Sequence, residues 1–107
     1  MAAVVCLVTA PPDRADALAH ELVQRRVAAC VNVVGGVRSV YRWEGAVQRD
    51  DEALLVVKTT RATIPALDAA LAELHPYETY ELVALDVAAG AAPYLAWIDE
   101  SVDPAGH

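Results

Sequence analysis

The chain has 107 residues, a formal net charge of −7 and 56% apolar residues. That length suits a single domain spanning 1–107, able to bury about two-thirds of its unfolded surface without disulfides or a metal, and the apolar content excludes disorder. The acidic balance excludes nucleic-acid binding, which needs clustered Lys and Arg; here there is one Lys, Lys58, and seven scattered Arg.

In chain order, residues 4–9 are a Val-rich run that predicts a strand. With no basic segment before it, the run is read as a strand and not a secretion signal. Pro11 and Pro12 end it, and Asp13 is placed to cap a helix over 13–26, whose Ala15, Leu18, Ala19, Leu22 and Val23 recur at helical spacing. Residues 30–43 form a long second strand. The Gly35-Gly36 pair inside it predicts a bulge or bend. Glu44-Gly45 is a turn signal, and 50–60 returns as a third strand, giving a long hairpin with a projecting tip. Thr63 is placed to cap a second helix, with Ile64, Leu67, Leu71 and Leu74 on one face and Pro76 as its stop. A fourth strand over 79–87 and a helix over 93–102 complete the chain, and the tail 103–107 is expected to fray. No charge-free stretch reaches the roughly 20 residues of a membrane span.

The order β-α-β-β-α-β-α places the chain in the α+β class, as a ferredoxin-like domain with an extra C-terminal helix. Its helices cover one face of an antiparallel sheet. Yet Ala53-Leu54-Leu55-Val56-Val57 and Leu82-Val83-Ala84-Leu85 are apolar on both alternating faces, whereas a sheet with one wet face alternates apolar and polar. A second copy of the chain is the economical cover, so a homo-oligomer is expected. The alternative is a monomer whose last helix caps that face.

His75-Pro76-Tyr77-Glu78 is the densest polar cluster. An imidazole and a carboxylate three residues apart suit a divalent metal; the other reading makes His75 a helix C-terminal cap. Cys30 and Cys6, with no Cys-x-x-Cys pair, read as reduced buried thiols of a cytoplasmic protein. Tyr41 and Trp43 share a strand face beside Glu44 and suit a ligand pocket or a subunit contact. Lys58, alone in an apolar strand, needs a partner such as Glu78 or Asp86, or an anion. No Ser-based nucleophile arrangement is present, so no enzymatic activity is expected.

Taken together, Thr9-Ala10-Pro11, Ala28-Ala29-Cys30-Val31-Asn32-Val33, Ser39-Val40-Tyr41-Arg42-Trp43-Glu44-Gly45, residues 54–59, His75-Pro76-Tyr77-Glu78 and Tyr94-Leu95-Ala96-Trp97 resemble, in order, the CutA family of divalent-cation tolerance proteins. The resemblance implies a tight homotrimer with its sheets facing inward and an architecture like that of the PII signalling trimers. It also implies a cytoplasmic protein that binds copper or another divalent cation in the response to metal ions. The family's copper site uses a Cys just before Thr-Ala-Pro and two adjacent His before Pro-Tyr. Here those positions hold Val8 and Leu74, leaving His75, with Glu78 and Cys30 as the candidate helpers. A PII-like reading assigns Tyr41, Trp43, Lys58, Glu78 and Trp97, with Tyr77, to a small-ligand cleft between subunits. A third reading is a scaffold that binds a partner protein through the hairpin tip.

Overall fold

The computed structural model describes residues 2–106. The elements are β1 (Ala3–Ala10), α1 (Ala15–Gln24), β2 (Cys30–Trp43), β3 (Ala46–Thr60), a 3-10 turn (Arg61–Thr63), α2 (Ile64–Leu74), β4 (Val83–Asp86) and α3 (Ala92–Ser101). The strands form one antiparallel sheet in the order β2-β3-β1-β4. This is the ferredoxin-like α+β arrangement expected from the element order.

β1 alternates strictly. Val4, Cys6, Val8 and Ala10 are buried, while the residues between them are half-buried. Opposite residues in an antiparallel pair share a face. The register Val4↔Thr59, Cys6↔Val57 and Val8↔Leu55 therefore aligns one buried face across β1 and β3. Leu18 and Leu22 of α1 and Leu67 and Leu71 of α2 close the same core. Each fully buried Leu or Val there contributes about 1.5–3 kcal/mol.

Several boundaries differ from the sequence expectation. Asp13 does not cap α1: Arg14 donates its N–H to the Pro11 carbonyl, closing a turn that absorbs Asp13, and the helix begins at Ala15 with no side-chain cap. Thr63 does stand at the N-cap of α2, but its hydroxyl bonds the Thr60 hydroxyl at 2.6 Å and not the helix backbone. β3 starts at Ala46, four residues earlier than expected. Glu44 and Gly45 both have positive φ (51° and 80°), the two-residue turn whose twist matches the strands it joins, so the ladder runs up to Trp43↔Ala46. The bulge falls where Gly35-Gly36 places it, between Val34↔Leu54 and Val37↔Glu52, with Gly36 at φ 73°. The hairpin gives the molecule its 44 Å long dimension.

β4 is shorter than expected. Residues 79–82 leave the sheet, and Tyr80 is tied instead to Asp68 of α2. The tail expected to fray is held through Gly106: Asp103 donates its N–H to the Arg26 carbonyl at 2.8 Å, and Gly106 to Asp103. Arg26 stands in the left-handed region (φ 61°) and its guanidinium donates to the carbonyls of Glu100 and Ser101, so one residue closes α1 and the end of α3. His107 lies outside the described residues.

α3 packs Leu95, Ile98 and Val102 on Ala3 and Ala29 at one end of the second sheet face. The rest of that face stays open. Val34, Val83 and Leu85 are exposed, the last two at 48% and 50%, and Leu7, Leu54 and Val56 are half-buried. No helix among the described residues is long and apolar enough to cross a membrane.

Candidate functional site

The projecting half of the hairpin and the loop after α2 enclose a cavity of about 670 Å3. β2 and β3 build one wall. Ser39, Tyr41 and Trp43 alternate onto one face, and the register Val37↔Glu52 and Ser39↔Asp50 puts Glu52 and Asp50 on that same face. The loop residues 77–81 and Thr9 at the end of β1 build the other wall.

His75 fixes that loop. It precedes Pro76, and the clash with the proline ring drives it out of the helical region (φ −74°, ψ 136°). The buried ring then bridges two strands of backbone. Tyr77 donates its N–H to Nδ1 at 3.0 Å, so the proton sits on Nε2, which donates to the Thr9 carbonyl at 2.8 Å. The ring also stacks against Tyr80, with centroids 5.5 Å apart. The turn carries Tyr77 over the sheet end, where its hydroxyl donates to Glu52 Oε2 at 3.0 Å.

The other phenols are engaged in the same way. Tyr41 donates to Asp50 and Tyr80 to Asp68. Burial first, and the Glu52 carboxylate second, push the Tyr77 phenol up to about 12. The bond to Asp50 raises Tyr41, and the bond to Asp68 raises Tyr80.

Of the residues singled out from sequence, the structure brings Tyr41, Trp43, Tyr77 and Glu78 together at this cavity. His75 stands behind it as a brace. Glu44 is at the exposed hairpin tip. Trp97 lies on α3 against Tyr94, ring centroids 5.5 Å apart. Cys30 neighbours Tyr94, whose phenol is raised by burial and then by that thiol. Lys58 pairs with neither Glu78 nor Asp86. Its ammonium donates to Asn32 Oδ1 on the open sheet face, and Asp86 is taken by Arg61. Asn32 stands opposite Val56, one step along the same face from Lys58, nearer than either acid.

The residues present do not fit a copper centre at His75. Both of its ring nitrogens are spent on backbone. Glu78 is exposed, and Cys30 stands opposite Lys58 while Thr9 stands opposite Leu54, about 13 Å apart along β3 at strand rise. Among the described residues no three His, Cys, Asp or Glu side chains converge to hold a metal ion.

Sequence reasoning missed Glu52, Asp50 and Tyr80. Strand parity could have found the first two: positions 48, 50 and 52 share a sheet face with 39, 41 and 43 once the turn is fixed at Glu44-Gly45. Tyr80 had no such signal, because its place depends on residues 79–82 leaving the sheet.

Residues 4–101 match the family described as "CutA1 divalent ion tolerance protein". The chain is 47% identical over 98 residues to the divalent-cation tolerance protein CutA of Thermus thermophilus, covering 91% of this chain and 95% of that one. A solved structure of the Thermus thermophilus Cut A1 protein superposes with a TM-score of 0.92 at 45% identity, over 94% of this chain and 99% of that one. A structure titled PII-like protein CutA from Nostoc sp. PCC 7120, in apo form, superposes with a TM-score of 0.88 at 31% identity, over 96% and 98%. The chain spans 58% of the length of its mouse relative, Protein CutA, at 40% identity. Relatives carry chloroplastic (Arabidopsis thaliana) and periplasmic (Archaeoglobus fulgidus) descriptions as well.

Proposed function

The chain belongs to the CutA1 divalent ion tolerance family, and on that premise we propose that it serves metal tolerance as a PII-like homotrimer that binds a small ligand in the groove between hairpin and loop. The observation that carries this reading is the cavity itself. Its volume falls within the roughly 300–1,000 Å3 of ordinary ligand pockets, its walls are held by phenol–carboxylate bonds, and among the described residues no donor set for a resident metal converges. The role is non-catalytic.

Assembly is supported by the open sheet face. Val34, Val83 and Leu85 are exposed there beside half-buried Leu7, Leu54 and Val56, and a contiguous apolar patch on a small protein marks an interaction surface. A trimer sediments at about 34 kDa, three times 11.4 kDa; an 11.4 kDa species in analytical ultracentrifugation overturns it. Two free thiols, Cys6 buried and Cys30 half-buried, support a reducing compartment such as the cytoplasm. They stand two strands apart, about 10 Å, beyond disulfide reach.

A thermal-shift screen with nucleotides, organic acids and amines tests the ligand role, since a compound bound only by the native state raises the midpoint. No shift with any of them sinks it. Copper or another divalent cation enters through the family, and we expect equal, weak Cu(II) uptake by wild type and His75→Ala in calorimetric titration. Tight uptake lost in His75→Ala contradicts this. A second reading, a hairpin tip that docks a partner protein, is favoured by the exposure of Val40, Trp43 and Val47 (60%, 49% and 65%); pull-downs that survive removal of the tip refute it.

A further inference from the structure

The walls of the groove are unusual in what they lack. Three carboxylates, Glu52, Glu78 and Glu81, line it, and no Lys, Arg or His among the described residues of this chain does. None of the three ion pairs among the described residues involves these acids. Glu52 is the telling one. It is buried to 7% exposure, and its only side-chain partner among the described residues is the Tyr77 hydroxyl, on Oε2. Its other oxygen has no donor, yet it is not sealed away from the cavity. A buried carboxylate with an oxygen left unpaired at a cavity calls for a cation or a donor.

The hydrogen-bond donors of the groove point to the same conclusion. Tyr41, Tyr77 and Tyr80 each give their hydroxyl proton to a carboxylate, and Thr9 gives its own to Glu81. What remains among the side-chain donors is Ser39, Thr79 and the Trp43 indole N–H. An anionic ligand therefore meets negative charge and few free donors. The rings, held by their hydroxyls, offer π faces, and the faces of Trp and Tyr attract cations.

The volume decides between kinds of cation. A bare metal ion leaves most of 670 Å3 unfilled and finds no converging set of three donors among the described residues. An ammonium group carried on an apolar body fills it.

We propose that the groove is a receptor for an organic cation, a small aliphatic or aromatic ammonium compound, with Glu52 as its counter-charge and Trp43, Tyr41 and Tyr77 as its aromatic walls. This rests on the reading of the groove as a ligand site. Glu78 and Glu81, exposed at the mouth, add attraction at entry.

The test uses three probes of one shape: benzylammonium, benzyl alcohol and benzoate, titrated calorimetrically into the full chain. Benzylammonium is expected to bind saturably, the alcohol about tenfold more weakly or worse, and benzoate not at all. Glu52→Gln keeps the size and the acceptor for Tyr77 while removing the charge, and should weaken benzylammonium at least about tenfold. Should that variant fold poorly, the exposed pair Glu78→Gln and Glu81→Gln carries the test, with a smaller loss that high salt reproduces in wild type. Equal binding of the alcohol or the benzoate overturns the cation assignment while leaving a ligand groove. Saturable binding by none of the three overturns both. Unchanged affinity in a folded Glu52→Gln removes Glu52 from its role.

Discussion

His75→Ala is the substitution whose effect the structure specifies most closely. The ring is 7% exposed and makes two hydrogen bonds, Nε2–H to the Thr9 carbonyl at 2.8 Å and Tyr77 N–H to Nδ1 at 3.0 Å. Each bond is worth about 1 kcal/mol net, and up to about 3 kcal/mol where truncation strands a buried group. The contact with Tyr80 at 5.5 Å adds about 0.5–1 kcal/mol. The loss should therefore be about 2–4 kcal/mol. With a urea slope of about 1–3 kcal/mol per molar, the midpoint falls by roughly 1–2 M, read by tryptophan fluorescence at fixed protein concentration. The partial replacements separate the two bonds. Asn places an oxygen near the Nδ1 position and should restore the Tyr77 bond; Gln places an N–H near Nε2 and should restore the Thr9 bond. Each recovers about half the loss. An alanine variant whose midpoint does not move refutes the brace.

Gly36→Ala should cost about 1–2 kcal/mol, because φ is +73° there and the left-handed region penalises a Cβ; Gly35→Ala, with open space and no positive φ, should cost little, and equal thermal midpoints for the two contradict the bulge geometry. Leu85→Glu, on the open face, should shift the sedimentation profile toward monomer while preserving the far-ultraviolet circular dichroism; an unchanged assembly removes that face from the interface. Absorbance at 295 nm should show a phenol ionising near 12 that Tyr77→Phe abolishes. Since that phenol is raised above its unfolded value, its stabilising contribution is complete below about pH 10 and is lost as pH rises through about 12; a curve in which all four tyrosines ionise near 10 excludes the bond to Glu52.

What was legible in the sequence was what alternation and punctuation encode. The two-faced strands predicted a sheet with an unfilled second face, and Gly35-Gly36 predicted the bulge. The parity of Tyr41 and Trp43 put both on the wall of the cavity. What was not legible depends on contacts distant in sequence. Asp13 has the chemistry of a cap, but the turn closed by Arg14 and Pro11 takes it out of position. Residues 79–82 look like strand, but the bond of Tyr80 to Asp68 across 12 residues holds them off the sheet. Lys58 was expected to find a carboxylate, and register gave it Asn32. Glu52 reads as an ordinary polar residue of a hairpin until Tyr77 is brought over it from 25 residues away.

The brace and the family's metal chemistry compete for the same two nitrogens. A metal that takes either nitrogen of His75 must first break its bond to Thr9 or to Tyr77, which costs about 1–3 kcal/mol, a factor of roughly 5 to 150 in affinity. A site with several strong ligands offsets such a loss. In this chain the neighbouring donors are missing: Val8 is fully buried in the core, Leu74 packs against it, and Cys6 faces into it with its thiol raised by burial. Cys6 lies two residues before Val8 on that helix-covered face, about 7 Å further along the strand, so a shift of ligand by two residues does not bring the thiol to the imidazole. With Leu74 beside it and both ring nitrogens bonded to backbone, His75 is a structural bridge, and the groove that this bridge shapes is the proposed place of recognition.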